Sequence, residues 1–237
     1  KDKKYILINF NKKIDQKNLI FFQKLILERS NGKPIAYLTN KKFFWESEFI
    51  VTKDTLIPRP DTETIIQNVL NFTKNKTNLN ILDIGVGSGC IILSILKARK
   101  YCRGTGIDIN QNCLKITKIN AINLKVSSRI KLYKTNVDKF TLGKYDLIVS
   151  NPPYIKKYVL KYLDKGVANY EPKLALNGGI DGLSEIRKVI KKSSELIKKN
   201  GKFVLEIGFD QKNRVINILK KEGFYINKIL KDLANNY

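Results

Sequence analysis

The sequence predicts an α/β fold in which helices cover both faces of a doubly wound, mostly parallel sheet. From residue 79 onward, apolar runs of strand length alternate with longer segments whose apolar residues recur at helical spacing. Two of these apolar runs end in turns rich in glycine or proline. Because parallel strands joined by helices end at one edge of the sheet, we expect a ligand site where these two turns lie.

Composition and charge narrow the class of protein. The 237 residues carry a formal net charge of +24, and 43% of them are hydrophobic. That apolar fraction is enough for a core, and no apolar run approaches the roughly 18 residues of a membrane span, so no membrane partner is expected. Arg supplies only seven of the 45 basic residues, and Lys occurs along the whole chain. Dispersed Lys favours solvated helix surfaces over a nucleic-acid-binding face.

The absence of histidine excludes several kinds of catalytic site. A chain without His has no Ser-His or Cys-His pair, no imidazole base and no His-ligated metal. The cysteines Cys90, Cys102 and Cys113 are odd in number and lack a C-x-x-C spacing, which argues against a disulfide framework and a thiolate zinc site. We therefore predict no metal site and a reducing, cytoplasmic location.

Three short elements are predicted before the sheet. Apolar residues between 19 and 29 recur at helical spacing with Asp15 as a cap, which predicts one amphipathic helix that ends at Asn31-Gly32-Lys33-Pro34. Residues 42–53 are rich in aromatic and β-branched side chains and favour a β-hairpin. Two prolines flanking Arg59 hold the next segment extended, and Asp61 or Thr62 is expected to start a helix over 63–74.

The sheet region follows in regular order. Strands are expected at 79–84, 103–109, 129–133, 145–150, 202–207 and 224–230, and helices at 89–100, 111–124, 183–199 and 210–222. We assign residues 1–40 to an N-terminal helical segment, 41–55 to a hairpin linker and 56–237 to the main domain.

A glycine-rich turn after the first strand of this region predicts a nucleoside cofactor. The turn is Gly85-Val86-Gly87-Ser88-Gly89, preceded by Asp83, and Asp108 ends the next strand, where it is placed to bind two ribose hydroxyls. Dinucleotide sites use G-x-G-x-x-G, whereas this turn is G-x-G-x-G with an acid two residues before it. This departure favours S-adenosylmethionine, whose amino group is positively charged.

A second turn, Asn151-Pro152-Pro153-Tyr154, predicts a site for a planar NH2 group. Two successive prolines remove two backbone donors and leave rigid carbonyl acceptors. One proton of the target would bind Asn151 Oδ1 and the other the Pro152 carbonyl, with the Tyr154 ring packed against the plane. An amide and a nucleobase both fit, so we predict Asn151, Pro152 and Tyr154 as catalytic and add Pro153 as substrate-binding.

Together these turns resemble the class I methyltransferases whose loop reads Asn-Pro-Pro-Tyr, which methylate planar nitrogens. The flanking segments RSNGKPIAYLT at 29–39, LIPRPDTE at 56–63 and YEPKLALNGGIDGL at 170–183 are similar to the release factor glutamine methyltransferase family. The resemblance implies a class I methyltransferase sheet and methyl transfer from S-adenosylmethionine, with S-adenosylhomocysteine as product. The methyl acceptor would be the glutamine amide of the Gly-Gly-Gln motif in class I peptide chain release factors, supporting translation termination.

The resemblance also assigns residues and partners. Asp83, the 85–89 turn, Asp108 and Asn151 would hold the cofactor, and Asn136 or Val137 would lie near its adenine. A monomer without a stable nucleic-acid complex is expected, while a nucleic-acid N-methyltransferase stays the alternative because of the same loop and the charge.

Other residues and the chain ends are interpreted separately. Arg59 is interpreted as tying the hairpin to the main domain through an ion pair, neither Arg59 nor Glu171 is taken as catalytic, and Cys90 is interpreted as a small buried residue. The family usually has a longer N-terminal helical domain, of which residues 1–40 would be a remnant, and a final strand inserted antiparallel into the sheet. We therefore expect a fragment or an abbreviated version of low stability, melting below about 60 °C.

Overall fold

The computed structural model describes residues 3–232 and residue 235. The helices are α1 (Lys3–Ile8), α2 (Gln16–Ser30), α3 (Ile35–Thr39), α4 (Glu63–Phe72), α5 (Cys90–Ala98), α6 (Gln111–Asn123), α7 (Lys165–Ala168), α8 (Ser184–Leu196) and α9 (Lys212–Lys221). The strands are β1 (Lys41–Phe44), β2 (Ser47–Ile50), β3 (Asn80–Ile84), β4 (Arg103–Asp108), β5 (Ile130–Lys134), β6 (Tyr145–Ser150) and β7 (Ile197–Leu205).

A parallel five-stranded sheet forms the centre of the described chain. Its order is β5-β4-β3-β6-β7, and every neighbouring pair is parallel. Side chains of β3 alternate between the faces, so that Ile81 joins the core under α4 and α5 while Leu82 and Ile84 join the core under α8. The predicted doubly wound, mostly parallel α/β fold is confirmed, and β3 and β6 are adjacent as the two turns require.

The N-terminal elements follow the sequence pattern closely. Asp15 caps α2 by accepting a hydrogen bond from the backbone N–H of Asn18 at 2.9 Å. The prediction of a single helix was incomplete, because α1 and α3 flank α2. The predicted hairpin forms from β1 and β2 and is held to α6 by Asn120, whose side chain bonds both the N–H and the carbonyl of Ile50. The division into three domains stays a prediction.

One predicted strand does not form, and another begins earlier than predicted. Residues 224–230 form no strand, because no neighbouring strand of the described chain pairs with them and most of their side chains stay in solvent, with Tyr225 87% exposed. The strand expected at 202–207 begins at Ile197, where the helix expected to reach 199 has already ended. Asn200 adopts a positive φ of 63°, and the pairing with β6 shifts register between Tyr145 and Leu147. The bulge around Asn200 interrupts the regular alternation of the strand. This interruption explains why the sequence pattern placed the start of the strand too late.

The segment before α4 is extended at Arg59, as the two prolines predict. The predicted start of α4 is confirmed, because Thr62 occupies the cap position, but its hydroxyl makes no capping hydrogen bond and bonds another partner. None of the helices in residues 3–232 combines the length and apolar character needed to cross a bilayer.

Candidate active site

The glycine turn and the Asn-Pro-Pro-Tyr loop lie side by side at the carboxyl edge of the sheet. Ile84, the last residue of β3, pairs with Ser150, the last residue of β6. The Ser150 hydroxyl donates a 2.7 Å hydrogen bond to the Ile84 carbonyl and ties the two strand ends together. Residues 85–89 and 151–154 therefore leave the sheet from adjacent points, as predicted for a site shared by a cofactor and a methyl acceptor.

The glycine turn forms an open backbone cradle. Gly85 and Gly87 have positive φ angles of 77° and 57°, and a Cβ at either position would meet no atom closer than 3.9 Å. The backbone N–H of Gly87 donates to the Asp108 carboxylate at 3.0 Å, which joins the turn to the end of β4. The missing side chains therefore leave room for a ligand against the main chain.

The other residues of this turn face inward. Val86 and Ser88 are buried, and the Ser88 hydroxyl contacts no hydrogen-bond partner among the described residues. A Cβ on Gly89 would lie 2.8 Å from Leu93 and from Thr117, so this glycine allows α5 and α6 to pack. Cys90 is partly buried, and desolvation raises the pKa of its thiol to about 12, which fits the interpretation of an inert residue.

Asp83 is a buried carboxylate whose two oxygens have no hydrogen-bond partner in the described chain. Burial raises its pKa to about 7; the backbone N–H of Ile92, which makes no hydrogen bond of normal geometry with it, opposes this rise, and the nearby Asp108 adds a smaller increase. An unpaired buried acid is costly unless a cation or a donor reaches it. The positively charged amino group of S-adenosylmethionine is such a cation, so the residues present fit this cofactor.

Asp108 and the loop after β5 complete the predicted cofactor side. The Asp108 carboxylate accepts from the N–H groups of Gly87 and Asn110, and desolvation raises its pKa. It remains partly exposed at the strand end, where its further lone pairs are available to hydroxyl groups. Asn136 caps a short turn by accepting from Asp138, while the Val137 side chain is buried in the core. Only the backbone of Val137 is thus available to an adenine. The contact between residues 136–137 and the adenine stays a prediction.

The Asn-Pro-Pro-Tyr loop presents acceptors. The side-chain NH2 of Asn151 donates to the Thr62 hydroxyl at 3.2 Å, so its Oδ1 is directed elsewhere. No residue that the structure describes donates a hydrogen bond to the Pro152 carbonyl, and Pro152 and Pro153 have no N–H of their own. The Tyr154 hydroxyl donates to Glu206 at 3.3 Å. Desolvation raises the pKa of this phenol, which therefore stays protonated.

Three polar residues of this site were missed by sequence reasoning. Thr62 donates to Glu206 at 2.7 Å, and Gln211 donates to the carbonyls of Tyr154 and Gly182, each at 3.0 Å. Desolvation raises the pKa of Glu206, while the hydrogen bonds from Thr62, Tyr154 and Asn151 lower it. A polar Glu at the end of an apolar strand was the available signal for this residue, because strand ends define the ligand edge.

The segments flanking the site hold it in place. Arg59 forms an ion pair, as predicted, and its partner is Glu171, with 2.6 Å between Arg59 Nη2 and Glu171 Oε1. Ile155 forms an isolated parallel bridge with Asn177, which fastens the Asn-Pro-Pro-Tyr loop to the 170–183 segment. These segments therefore position the loop instead of adding reacting groups.

Comparison with known proteins agrees with this geometry. The family model named methyltransferase small domain matches residues 62–167. The ribosomal protein L11 methylase of Lactobacillus delbrueckii subsp. bulgaricus superposes with a TM-score of 0.55 at 17% identity, covering 76% of this chain and 78% of that chain. This likeness concerns the fold alone. The chain therefore has the fold of a class I methyltransferase.

The sequence relatives identify the family. A release factor glutamine methyltransferase of Clostridium acetobutylicum is 35% identical over 237 residues, covering 99% of this chain and 83% of the relative. A bifunctional methyltransferase of Rickettsia typhi is 36% identical over 251 residues, covering 98% of this chain and 48% of the relative. The chain thus spans about half the length of the bifunctional relatives. It belongs to the release factor glutamine methyltransferase family.

Proposed function

We propose that this chain transfers a methyl group from S-adenosylmethionine to the side-chain amide nitrogen of the glutamine in the Gly-Gly-Gln motif of class I release factors. The observation that carries the proposal is the set of acceptors at the carboxyl end of β6. Asn151 Oδ1 and the Pro152 carbonyl lie beside the glycine cradle, and Thr62 takes the competing NH2 of Asn151. Two neighbouring acceptors of this kind can bind an NH2 group through both of its hydrogens.

The cofactor side supports the same reaction. Asp83 is placed for the amino group, Gly85 and Gly87 for close backbone approach, and Asp108 for ribose hydroxyls. Asn136 and Val137 are proposed near the adenine. When bound, S-adenosylmethionine supplies an electrophilic methyl group on a positively charged sulfur.

Orientation is the main contribution of the protein. The lone pair of an amide nitrogen is delocalised, so the nitrogen is a weak nucleophile unless it is held in line with the methyl group. Asn151 Oδ1 and the Pro152 carbonyl would hold both N–H bonds and bind more strongly as the nitrogen gains positive charge. After transfer, the surplus proton is acidic and leaves to water. No histidine is needed, which agrees with its absence from the chain.

The choice of a protein glutamine over a nucleobase rests on the family. The flanking segments that hold the loop are the ones that resemble release factor methyltransferases, and Clostridium acetobutylicum and Francisella tularensis relatives of that name each cover 99% of this chain. The dispersed Lys residues indicate no single nucleic-acid face. We propose a monomer in the cytoplasm that binds its release factor transiently.

The test is a methyl-transfer assay with two kinds of acceptor. Labelled S-adenosylmethionine is incubated with this chain and either a release factor or a mixture of tRNA, rRNA and DNA. We expect label in the release factor and its loss when the acceptor glutamine is replaced by alanine. Asn151→Ala should lower the rate by at least about 100-fold. Label in the nucleic-acid fraction would instead establish the alternative N-methyltransferase activity.

A further inference from the structure

A hydrogen-bonded chain connects Asn151 to Glu206, a half-buried acid that directly follows β7. Asn151 Nδ2 donates to the Thr62 hydroxyl at 3.2 Å, and that hydroxyl donates to Glu206 Oε2 at 2.7 Å. The other oxygen, Glu206 Oε1, accepts from the Tyr154 hydroxyl at 3.3 Å. The acid thus bonds to the loop's tyrosine directly and to its asparagine mainly through Thr62, with a smaller direct hydrogen-bond contribution from Asn151.

We propose that Thr62 and Glu206 are positioning residues that fix which end of the Asn151 amide faces the methyl acceptor. The proposal rests on the proposed function and deepens it. It assigns a positioning role to Thr62 of the 56–63 segment and to Glu206, the residue that follows β7.

The direction of the chain follows from counting hydrogens. The Thr62 hydroxyl donates to Glu206 Oε2, and this bond uses its single hydrogen. The Thr62 oxygen is then an acceptor toward Asn151, and only the NH2 end of the amide can meet it. Asn151 Oδ1 is therefore left for the substrate. If the amide were flipped, an NH2 group would oppose the NH2 of the acceptor and repel it.

The surroundings make the chain rigid. Thr62 is 2% exposed and gives up the usual capping bond of α4, since its hydroxyl is used by Glu206. The backbone N–H of Glu206 donates to the Ser150 carbonyl at 3.0 Å, which fixes the acid directly beside the residue that precedes Asn151. Held between two neighbouring strand ends, the side chains have little freedom to reorient.

Kinetics of three variants test this role. Thr62→Val removes both hydrogen bonds at nearly constant volume, Thr62→Ser keeps the hydroxyl, and Glu206→Gln replaces a pure acceptor by a group that also donates. With a release factor as acceptor, we expect Thr62→Val and Glu206→Gln to lower kcat by about 10- to 100-fold, with cofactor affinity by calorimetry within about twofold of the parent. Thr62→Ser should recover kcat to within about threefold.

A matched control separates this effect from loss of a buried hydroxyl. Thr73 is also buried and its hydroxyl bonds the Val69 carbonyl, far from the site. Thr73→Val should leave kcat unchanged even where it lowers the melting temperature. The proposal is overturned if Thr62→Val retains kcat within about twofold, or if Thr62→Ser is as defective as Thr62→Val.

A measurement without any acceptor keeps the two proposals distinguishable. In ¹⁵N spectra, the Asn151 side-chain NH2 should show slowed hydrogen exchange in the parent and in Thr62→Ser, and fast exchange in Thr62→Val. If the parent does not methylate a release factor but shows this pattern, the proposed substrate is wrong and the positioning chain stands. If all three proteins exchange equally fast, the chain does not hold Asn151, whatever the substrate.

Discussion

Arg59 and Glu171 form an ion pair between positions 112 residues apart, with 2.6 Å between Nη2 and Oε1. The Glu171 side chain is only 1% exposed, and it also accepts from the backbone N–H of Ile57. The pair therefore joins the segment before α4 to the segment that follows α7. Both segments contact the Asn-Pro-Pro-Tyr loop, one through Thr62 and the other through the Ile155–Asn177 bridge.

Breaking this pair should destabilise the protein without removing the chemistry. Arg59→Ala leaves a buried carboxylate uncompensated, and because Arg59 remains about one third exposed we expect a loss of about 2 kcal/mol. Urea unfolding measures the change. The double variant Arg59→Ala with Glu171→Gln should recover about half of the loss, because the buried charge is then gone. Equal destabilisation of single and double variants would contradict this account.

Alanine substitutions at two glycines of the same turn should have different effects, one on stability and the other on cofactor binding. Gly89→Ala places a Cβ 2.8 Å from Leu93 and Thr117 and should cost about 3 kcal/mol or more in unfolding free energy. Gly85→Ala meets open space and is destabilised only by its positive φ, about 1 kcal/mol, yet it fills the cradle. We expect Gly85→Ala to fold and to lose cofactor affinity by at least about tenfold in calorimetry. Undiminished affinity in folded Gly85→Ala would show that the cradle is not the cofactor site.

The buried Asp83 predicts a pH-dependent stability. Its folded-state pKa of about 7 lies above the ordinary value of 3.8, so between these values the folded chain binds more protons than the unfolded chain. The contribution of this group is thus lost as pH rises from about 4 to 7. Asp83→Asn removes that loss, because the amide does not ionise. The difference in unfolding free energy between Asp83→Asn and the parent should therefore be larger at pH 8 than at pH 5, by about 2 to 4 kcal/mol in favour of the variant. A difference in unfolding free energy between the two proteins that does not change with pH would contradict the raised pKa of Asp83.

The same variant separates stability from binding. Asp83→Asn cannot form a charge pair with the cofactor's amino group, so its affinity for S-adenosylmethionine should fall by about tenfold or more even though the protein is more stable. Calorimetry at pH 8 measures both the thermal stability of the variant and its affinity for S-adenosylmethionine. A variant that is more stable and binds equally well would mean that Asp83 does not contact the ligand.

Gln211 holds the Asn-Pro-Pro-Tyr loop from a distant position in the sequence, so replacing it tests how strongly the loop depends on this support. Its NH2 donates to the carbonyls of Tyr154 and Gly182, and its oxygen accepts from the Gly208 N–H. Gln211→Glu keeps only the last bond and buries a charge, so we expect a loss of about 2 to 3 kcal/mol in unfolding free energy. Hydrogen exchange at the backbone amides of Ile155 and Gly178 should become faster, because both belong to the segments that Gln211 braces.

A nearby exposed residue supplies the control for this prediction. Asn213 lies two positions further along the chain, in the first turn of α9, and its side chain is exposed. Asn213→Ala should therefore change neither the unfolding free energy, beyond about 0.5 kcal/mol, nor the exchange at the two amides. Unchanged exchange in Gln211→Glu would refute the bracing role.

Local patterns predicted the sheet and the two turns because both depend on short-range chemistry. An apolar run with a glycine turn specifies its own strand end, and two prolines specify an acceptor loop wherever the loop is placed. Asp15 at the start of α2 was found in the same way, since a cap depends on residues three positions apart.

Long-range partners could not be predicted in this way. Thr62 looked like a helix cap, and its hydroxyl instead bonds Glu206, which lies 144 residues further along the chain. The 224–230 segment has strand-like residues, but a strand forms only where a neighbour supplies hydrogen bonds. An ion pair was expected for Arg59, but only the fold shows that Glu171 is its partner.

Asn151 and Pro152 are proposed to present two hydrogen-bond acceptors to a glutamine amide. The most direct measurement is mass spectrometry of a release factor treated with this chain and methyl-labelled S-adenosylmethionine, comparing the parent with Asn151→Ala. We predict one label on the amide nitrogen of the Gly-Gly-Gln glutamine with the parent and almost none with Asn151→Ala. Equal labelling by both proteins, or label only on nucleic acid, would contradict the account.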